Sequence, residues 1–316
     1  MKEKNLSTPF DSRTFYFNSL KRILIIVIAG LFIKFCIIDI RRIDGNQMSP
    51  TTIKGDRFAV SRISSLPLVR NLIKPKRLQP VLFKMPFEPG KEGYLRIAGI
   101  RADTVSIDSG IFFNSRLESD YFQNSRTSTE IIPSDYSPLD FFAPFRVPAS
   151  GDTLYLQTDN LRDFFFAISV IRQENPQSSF SLNTKLLLDD SVTNDYFING
   201  FSLYEGLLDS IPEHNRFDWF FWTRLKEYLS MIHYNQNVNL KFTFCIDGEE
   251  VSRYVVKGSY VFLLADNWKN GLDSRFFGPL KTTFVIGKPF MILWSYNGDP
   301  ENSDKFKINR IGRIIK

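Results

Sequence analysis

The chain has 316 residues, 43% of them hydrophobic and 15% aromatic, so it can hold two domains or one domain with a large insert. Its formal charge is +6 with an isoelectric point near 9.1, but Lys and Arg are spread along the chain and no nucleic-acid motif is present, which excludes a nucleic-acid partner. Two cysteines (Cys36, Cys245) and two histidines (His214, His233) are too scattered for a metal site, and neither histidine sits in a nucleophile motif; no metal, cofactor or Ser–His–Asp triad is expected.

In chain order, residues 23–40 form the one membrane-length apolar run. About 18 residues at 1.5 Å each span roughly 27 Å, close to the hydrocarbon thickness of a bilayer. Lys34 lies toward one end, where its stem can snorkel. The run is followed by Ile40-Arg41-Arg42-Ile43 rather than a small-residue cleavage site, so it reads as a retained anchor and not a cleaved leader. A basic balance beside such an anchor accounts for the net charge. Lys2, Lys4, Arg13, Lys21 and Arg22 precede it, while Arg41, Arg42, Lys54, Arg57 and Arg62 follow, so charge does not fix the orientation. With Cys36 in the anchor and Cys245 far beyond it, a disulfide-free fold is expected.

After the anchor, β-rich runs recur at 57–61, 81–85, 104–107, 153–156, 239–244 and 283–286. Pro89-Gly90, Ser109-Gly110, Ser150-Gly151, Asp247-Gly248 and Asn297-Gly298 punctuate them as turns, and the class is mainly β. Two helices interrupt the pattern. One covers 161–174, with Asp159 or Asn160 as N-cap and Pro176 beyond its end. The other covers 217–233, where Phe217, Phe221, Leu225, Tyr228 and Ile232 keep helical spacing while Trp219, Phe220 and Trp222 widen the stripe. That width fits either a helix buried in its own domain or an aromatic patch for a membrane interface or partner.

Three stretches carry a resemblance. Asp44-Gly45-Asn46-Gln47-Met48-Ser49-Pro50-Thr51-Thr52-Ile53-Lys54-Gly55-Asp56 resembles the active-site box of type I signal peptidases, with Gly45, Met48, Pro50, Thr51, Gly55 and Asp56 fixing the register. Tyr94-Leu95-Arg96-Ile97-Ala98-Gly99-Ile100-Arg101-Ala102-Asp103-Thr104-Val105 resembles the family strand that bears the general base, matching at Arg96, Gly99, Asp103, Thr104 and Val105. Residues 262–278 resemble a third box through Asp266, Asn267, Asp273, Ser274, Arg275 and Gly278, departing at Ala265, Trp268 and Gly271. Residues 285–290 and 293–295 are similar to the family's closing strand, and residues 140–161 to the long insert of signal peptidases from the Bacteroidota.

The resemblance implies an antiparallel β core with a large β-rich insert containing about two helices, plus one N-terminal transmembrane helix. It divides the chain into a cytoplasmic tail (1–22), an anchor (23–40), a core (41–115 and 241–300), an insert or cap (116–240) and a C-terminal tail (301–316). It further implies a single span in the cytoplasmic membrane with the main domain facing the periplasm.

The family's nucleophilic serine falls on Gln47, its general-base lysine on Leu95 and its base-orienting serine on Gly271. A glutamine amide cannot be deprotonated to attack a carbonyl, and leucine keeps the apolar bulk of lysine without the amine. A substitute nucleophile at Ser49 would need a base such as Lys91, but these lie two and four residues from the family positions, about 6–7 Å and 13 Å along a strand; Ser49-Pro50 is also ordinary turn chemistry. Walls of a peptide groove would come from Ile43, Gly45, Met48, Pro50, Ile97 and Ala98, and Arg96, Asp266, Asp273 and Arg275 form an expected structural charge cluster. Three functions stay open. One is a pseudopeptidase that binds or scaffolds signal peptides, an active signal peptidase or secretion-translocon proteins in export or envelope biogenesis. Another is an active signal peptidase with a relocated nucleophile. The last is a former peptidase bound to an unrelated envelope component.

Overall fold

Strands dominate because the chain alternates β-branched and aromatic residues with polar ones between short turns. The computed structural model describes residues 12–32, 38–63, 74–117, 122, 141–193, 196–198, 201–203, 211, 213–267, 271–296 and 306–316. In chain order these hold α1 (Ser12–Phe32), β1 (Ile38–Arg42), β2 (Asp56–Ser61), β3 (Pro80–Lys84), β4 (Glu92–Ile100), β5 (Thr104–Asp108), β6 (Ile111–Asn114), β7 (Phe142–Arg146) and β8 (Thr153–Tyr155). Then come α2 (Leu161–Glu174), β9 (Phe180–Leu188), β10 (Ser191–Thr193), β11 (Tyr196–Ile198), β12 (Phe201–Leu203), α3 (Glu213–Arg216) and α4 (Trp219–Ile232). The chain closes with β13 (Val238–Ile246), β14 (Glu249–Glu250), β15 (Arg253–Val255), β16 (Tyr260–Leu264), α5 (Ser274–Phe277), β17 (Leu280–Lys281) and β18 (Val285–Ser295).

The main sheet has seven strands in the order β1-β2-β18-β3-β4-β16-β17, all antiparallel. Beside its central strand β3 runs β4, buried without a break from Tyr94 to Gly99. One core cluster gathers Met48, Phe58, Leu95, Ile97, Leu263 and Ile292. A second, built on Ala98, Val105, Phe142, Phe166 and Phe262, joins the main sheet to the β6-β5-β7 sheet and to α2. Gly99 permits that approach, since an added Cβ would lie 2.8 Å from Val105 Cγ1 and 3.2 Å from Val147 Cγ2.

A third cluster fills the insert, where α2 and α4 cover one face of the β10-β9-β13-β14 sheet. Both helices form where the spacing places them. Asn160 Oδ1 caps α2 at Asp163 N (3.3 Å), and Asp218 Oδ1 caps α4 at Phe220 N (2.9 Å). Trp222 is the fully buried anchor of α4, ringed by Phe165, Phe221 and Phe242 inside the insert, whereas Trp219 and Phe220 reach the core: Trp219 Nε1 donates to Arg275 O (2.9 Å) and Phe220 packs on Phe276. Polar groups on α2 stitch the insert to the core: Gln173 bridges Pro279 O and Lys281 N, and the Glu174 carboxylate accepts from Gly258 N and from the hydroxyls of Tyr254 and Tyr260.

Four boundaries differ from expectation. Among the described residues no helix is long and apolar enough to cross a membrane. The run expected as an anchor over 23–40 is divided: α1 ends at Phe32, and Ile38–Ile40 belong to β1, where Ile38, Asp39, Ile40 and Arg41 alternate in a period of two and pair with β2. The insert reaches past residue 240, because β13 pairs with β9 from Val238↔Leu188 to Ile246↔Phe180 and β15 pairs with β8. Asp247 (φ 52°) and Gly248 (φ 89°) make the two-residue hairpin to β14, a turn whose dihedrals suit this pair. The segment set apart as a C-terminal tail packs on the core over 306–316, burying Arg310 and Ile315. β18 leaves β3 after Gly287, and the tail satisfies the freed backbone: Ile292 N donates to Arg313 O (2.8 Å) and Ile315 N to Phe290 O (2.9 Å). The strand expected at 283–286 begins at Val285, after a 3-10 turn over Thr282–Phe284.

Candidate functional site

The first box is the loop between β1 and β2. It closes on itself through Ile43 N to Asp56 O (2.9 Å) and Gly55 N to Ile43 O (3.0 Å), with Gly55 at φ 94°. Ile43 and Met48 plug the core beneath it. This leaves Gln47 half-buried and turned toward β4, where its Nε2 donates to the Tyr94 carbonyl at 3.1 Å. Asn267 N donates to the Gln47 carbonyl (3.0 Å), and Asn267 Nδ2 to the Asn46 carbonyl (3.3 Å). All three boxes therefore meet at Gln47. The next residue on β4 is Leu95, 1% exposed among Met48, Tyr94, Ile97 and Ala265. The arrangement supplies an amide and a hydrocarbon, neither of which takes or gives a proton in peptide hydrolysis.

Gly271 packs against Ala265 so tightly that an added Cβ would stand 2.2 Å from the Ala265 Cβ. The Ala265 methyl thus fills the space that the Cβ of a serine at residue 271 would need. Trp268 lies outside the described residues.

The expected charge cluster resolves into two bidentate pairs. Arg96 donates to Asp266 through Nε (2.7 Å) and Nη2 (2.8 Å), with Nη1 donating to Leu78 O and Lys316 O at 2.6 Å each. Arg275 donates to Asp273 through Nε (2.8 Å) and Nη2 (2.7 Å). Asp273 also caps α5 and accepts Ala265 N (3.1 Å), which ties it to the residue before Asp266. A third pair was not anticipated: Arg310 clamps Asp56 through Nε (2.9 Å) and Nη2 (2.5 Å) and reaches Thr51 O (3.2 Å). Thr51 Oγ1 donates to Asp266 (2.5 Å), so the first box is held from both sides. No sequence signal points to Arg310; its role follows from the structure, where the Asp56 carboxylate is buried to 0% exposure and requires a cation.

Asp103 of the second box follows Ala102, which sits at φ 64°. Arg77 grips it through Nε (2.7 Å) and Nη2 (2.6 Å), and Ile100 N and Asn114 Nδ2 also donate to it. Burial opposes its ionisation, but those donors and the guanidinium charge outweigh burial and hold the carboxyl below the usual aspartate range. A lowered folded pKa stabilises the protein above the unfolded value, and that contribution is lost as pH falls through the folded value. We therefore expect Asp103→Asn to lower the urea midpoint at neutral pH and to flatten its decline on acidification below about pH 4. An acid limb of unchanged steepness would contradict this.

The other expected site residues separate. Ile43, Met48, Ile97 and Ala98 are buried in the core clusters, while Gly45 and Pro50 are exposed on the loop surface. The first four thus offer no side-chain surface to a peptide. Ser49 is half-buried, its N–H donating to Asn46 O (3.0 Å). Lys91 lies at the solvent end of the β3–β4 hairpin in an exposed ion pair with Glu88 (2.6 Å). His233 ends α4 and His214 lies in α3. Among the described residues no group of three His, Cys, Asp or Glu side chains could hold a metal.

Residues 16–294 match the family described as "Signal peptidase, peptidase S26". The chain belongs to that family. This S26 member is 22% identical over 273 residues to signal peptidase I of Aquifex aeolicus (strain VF5), covering 86% of this chain and 82% of the relative. It also aligns with the crystal structure of a signal peptidase I from Enterococcus faecalis V583 at 15% identity and a TM-score of 0.26, over 68% of this chain and 97% of that one.

Proposed function

We propose that this S26 member is a membrane-anchored pseudopeptidase that acts as a binding or scaffolding subunit in protein export or envelope biogenesis, with its main domain facing the periplasm. One observation carries the reading. The Gln47 carboxamide is hydrogen-bonded to the Tyr94 carbonyl beside buried Leu95, so the spot where a hydroxyl and an amine would meet holds a satisfied amide and a packed side chain. The buried ion pairs around it keep the three boxes in place without that chemistry. Membrane attachment is supported by α1, whose Leu20 and Ile23 through Ile28 are all at least half exposed, an apolar surface with no protein cover among the described residues. Affinity purification from detergent-solubilised membranes tests the role. The reading expects recovery with an active signal peptidase or translocon proteins and retention in membranes after alkaline washing. Recovery of the protein alone, from the soluble fraction, contradicts it.

A further inference from the structure

Among the described residues of the insert, one edge of β13 is unpaired over most of its length. The hydrogen bonds Asp189 N to Asn237 O and Asp247 N to Ser179 O, both 3.0 Å, flank the β13–β9 ladder and mark odd-numbered residues of β13 as those that bond to β9. Backbone groups of Leu240, Phe242 and Phe244 therefore point the other way. On that side β14 pairs only with Cys245 and Ile246, and Val251 N reaches the Phe244 carbonyl (3.0 Å). Leu240 N–H turns to the Asn239 side chain (3.0 Å). From Val238 to Thr243 no described strand lies alongside.

A cavity of about 610 Å3 runs beside this edge. Leu156, Leu161 and Phe164 give it an apolar lining, and Gln157, Asp159 and Lys241 give it a polar one. A cleft of this size lies in the range of ligand sites. The open edge from Asn239 to Thr243 spans about 13 Å at strand rise, enough for roughly five extended residues.

We propose that this cleft binds an unfolded polypeptide segment as an added strand on β13. Outward backbone N–H and C=O groups are best satisfied by another backbone, which makes such recognition tolerant of sequence. In an extended segment every second side chain would enter the apolar lining, while the others would share the solvent face of the sheet with exposed Lys185 and Lys241. The preferred ligand is therefore a chain with apolar residues at alternate positions. The site lies in the insert, apart from Gln47, and the proposal does not depend on whether that position cleaves.

Fluorescence anisotropy with the full-length protein in detergent tests this. The probe is a labelled peptide of about ten residues with Leu or Val alternating with Ser or Thr. N-methylation of the peptide amides that face β13 removes two or three hydrogen bonds and is expected to weaken binding about tenfold or more, while methylation of the alternate set has little effect. Gln157→Trp, at an exposed lining position, is expected to cause a similar loss with an unchanged Tm. Replacing the apolar residues of the peptide by Asp is expected to abolish binding. Indifference to both methylation patterns, absence of binding at about millimolar peptide, or retention only of a folded partner would each overturn the proposal.

Discussion

Replacing Arg96 with methionine is expected to lower the unfolding free energy by about 3–5 kcal/mol, read as a fall in urea midpoint at constant slope. Arg96 is wholly buried, and its guanidinium neutralises Asp266, which is 3% exposed, while also satisfying the carbonyl oxygens of Leu78 and Lys316. Methionine keeps the stem volume but removes the counter-charge from a carboxylate that stays buried in the core. The double substitution Arg96→Met, Asp266→Leu is expected to recover much of the loss, because a buried pair costs desolvation that apolar residues do not. Arg96→Lys keeps the charge but not the two-pronged geometry, and should fall between wild type and methionine. A loss below about 1 kcal/mol for Arg96→Met would mean that the pair is solvated and not the clamp described above.

The second large effect concerns the base-orienting position. Gly271→Ser alone is expected to destabilise by about 1–3 kcal/mol, since its Cβ would meet the Ala265 Cβ at 2.2 Å and neither residue has a flexible side chain to swing aside. Ala265→Gly alone opens a methyl-sized void and should cost about 1 kcal/mol. Together the two changes exchange the volumes back, so the double variant is expected to be more stable than the sum of the singles by at least about 1 kcal/mol in a double-mutant cycle. The consequence reaches the chemistry. Gln47→Ser with Leu95→Lys would restore a hydroxyl and an amine, but the hydroxyl that orients the amine fits only after Ala265→Gly. Additive costs in the cycle would show that the two departures arose without reference to each other.

Much of the site was legible because it rests on local signals. The register set by Gly45, Met48, Pro50, Thr51, Gly55 and Asp56 placed Gln47, and the structure brings it against β4 beside Leu95. Both insert helices were legible from an N-cap followed by apolar periodicity, with Asn160 and Asp218 acting as caps. What was not legible depends on pairing between distant segments. Nothing near Ile38 says that two more isoleucines belong to a strand rather than to an apolar run, until β2 supplies Ala59 and Ser61 opposite them. Arg310 looks like one more basic residue in a basic tail, and only the burial of Asp56 reveals its role. The Ala265–Gly271 exchange was visible as two departures, yet their shared volume appears only when the third box folds back on itself.

The most direct test of the central claim is cleavage of an exported precursor by the purified, detergent-solubilised protein, followed by gel shift and N-terminal sequencing of any product. The account predicts that the precursor remains intact with the wild-type chain and with Ser49→Ala alike. Trimming at the normal junction by wild type, lost in Ser49→Ala and free of contaminating protease, would contradict it.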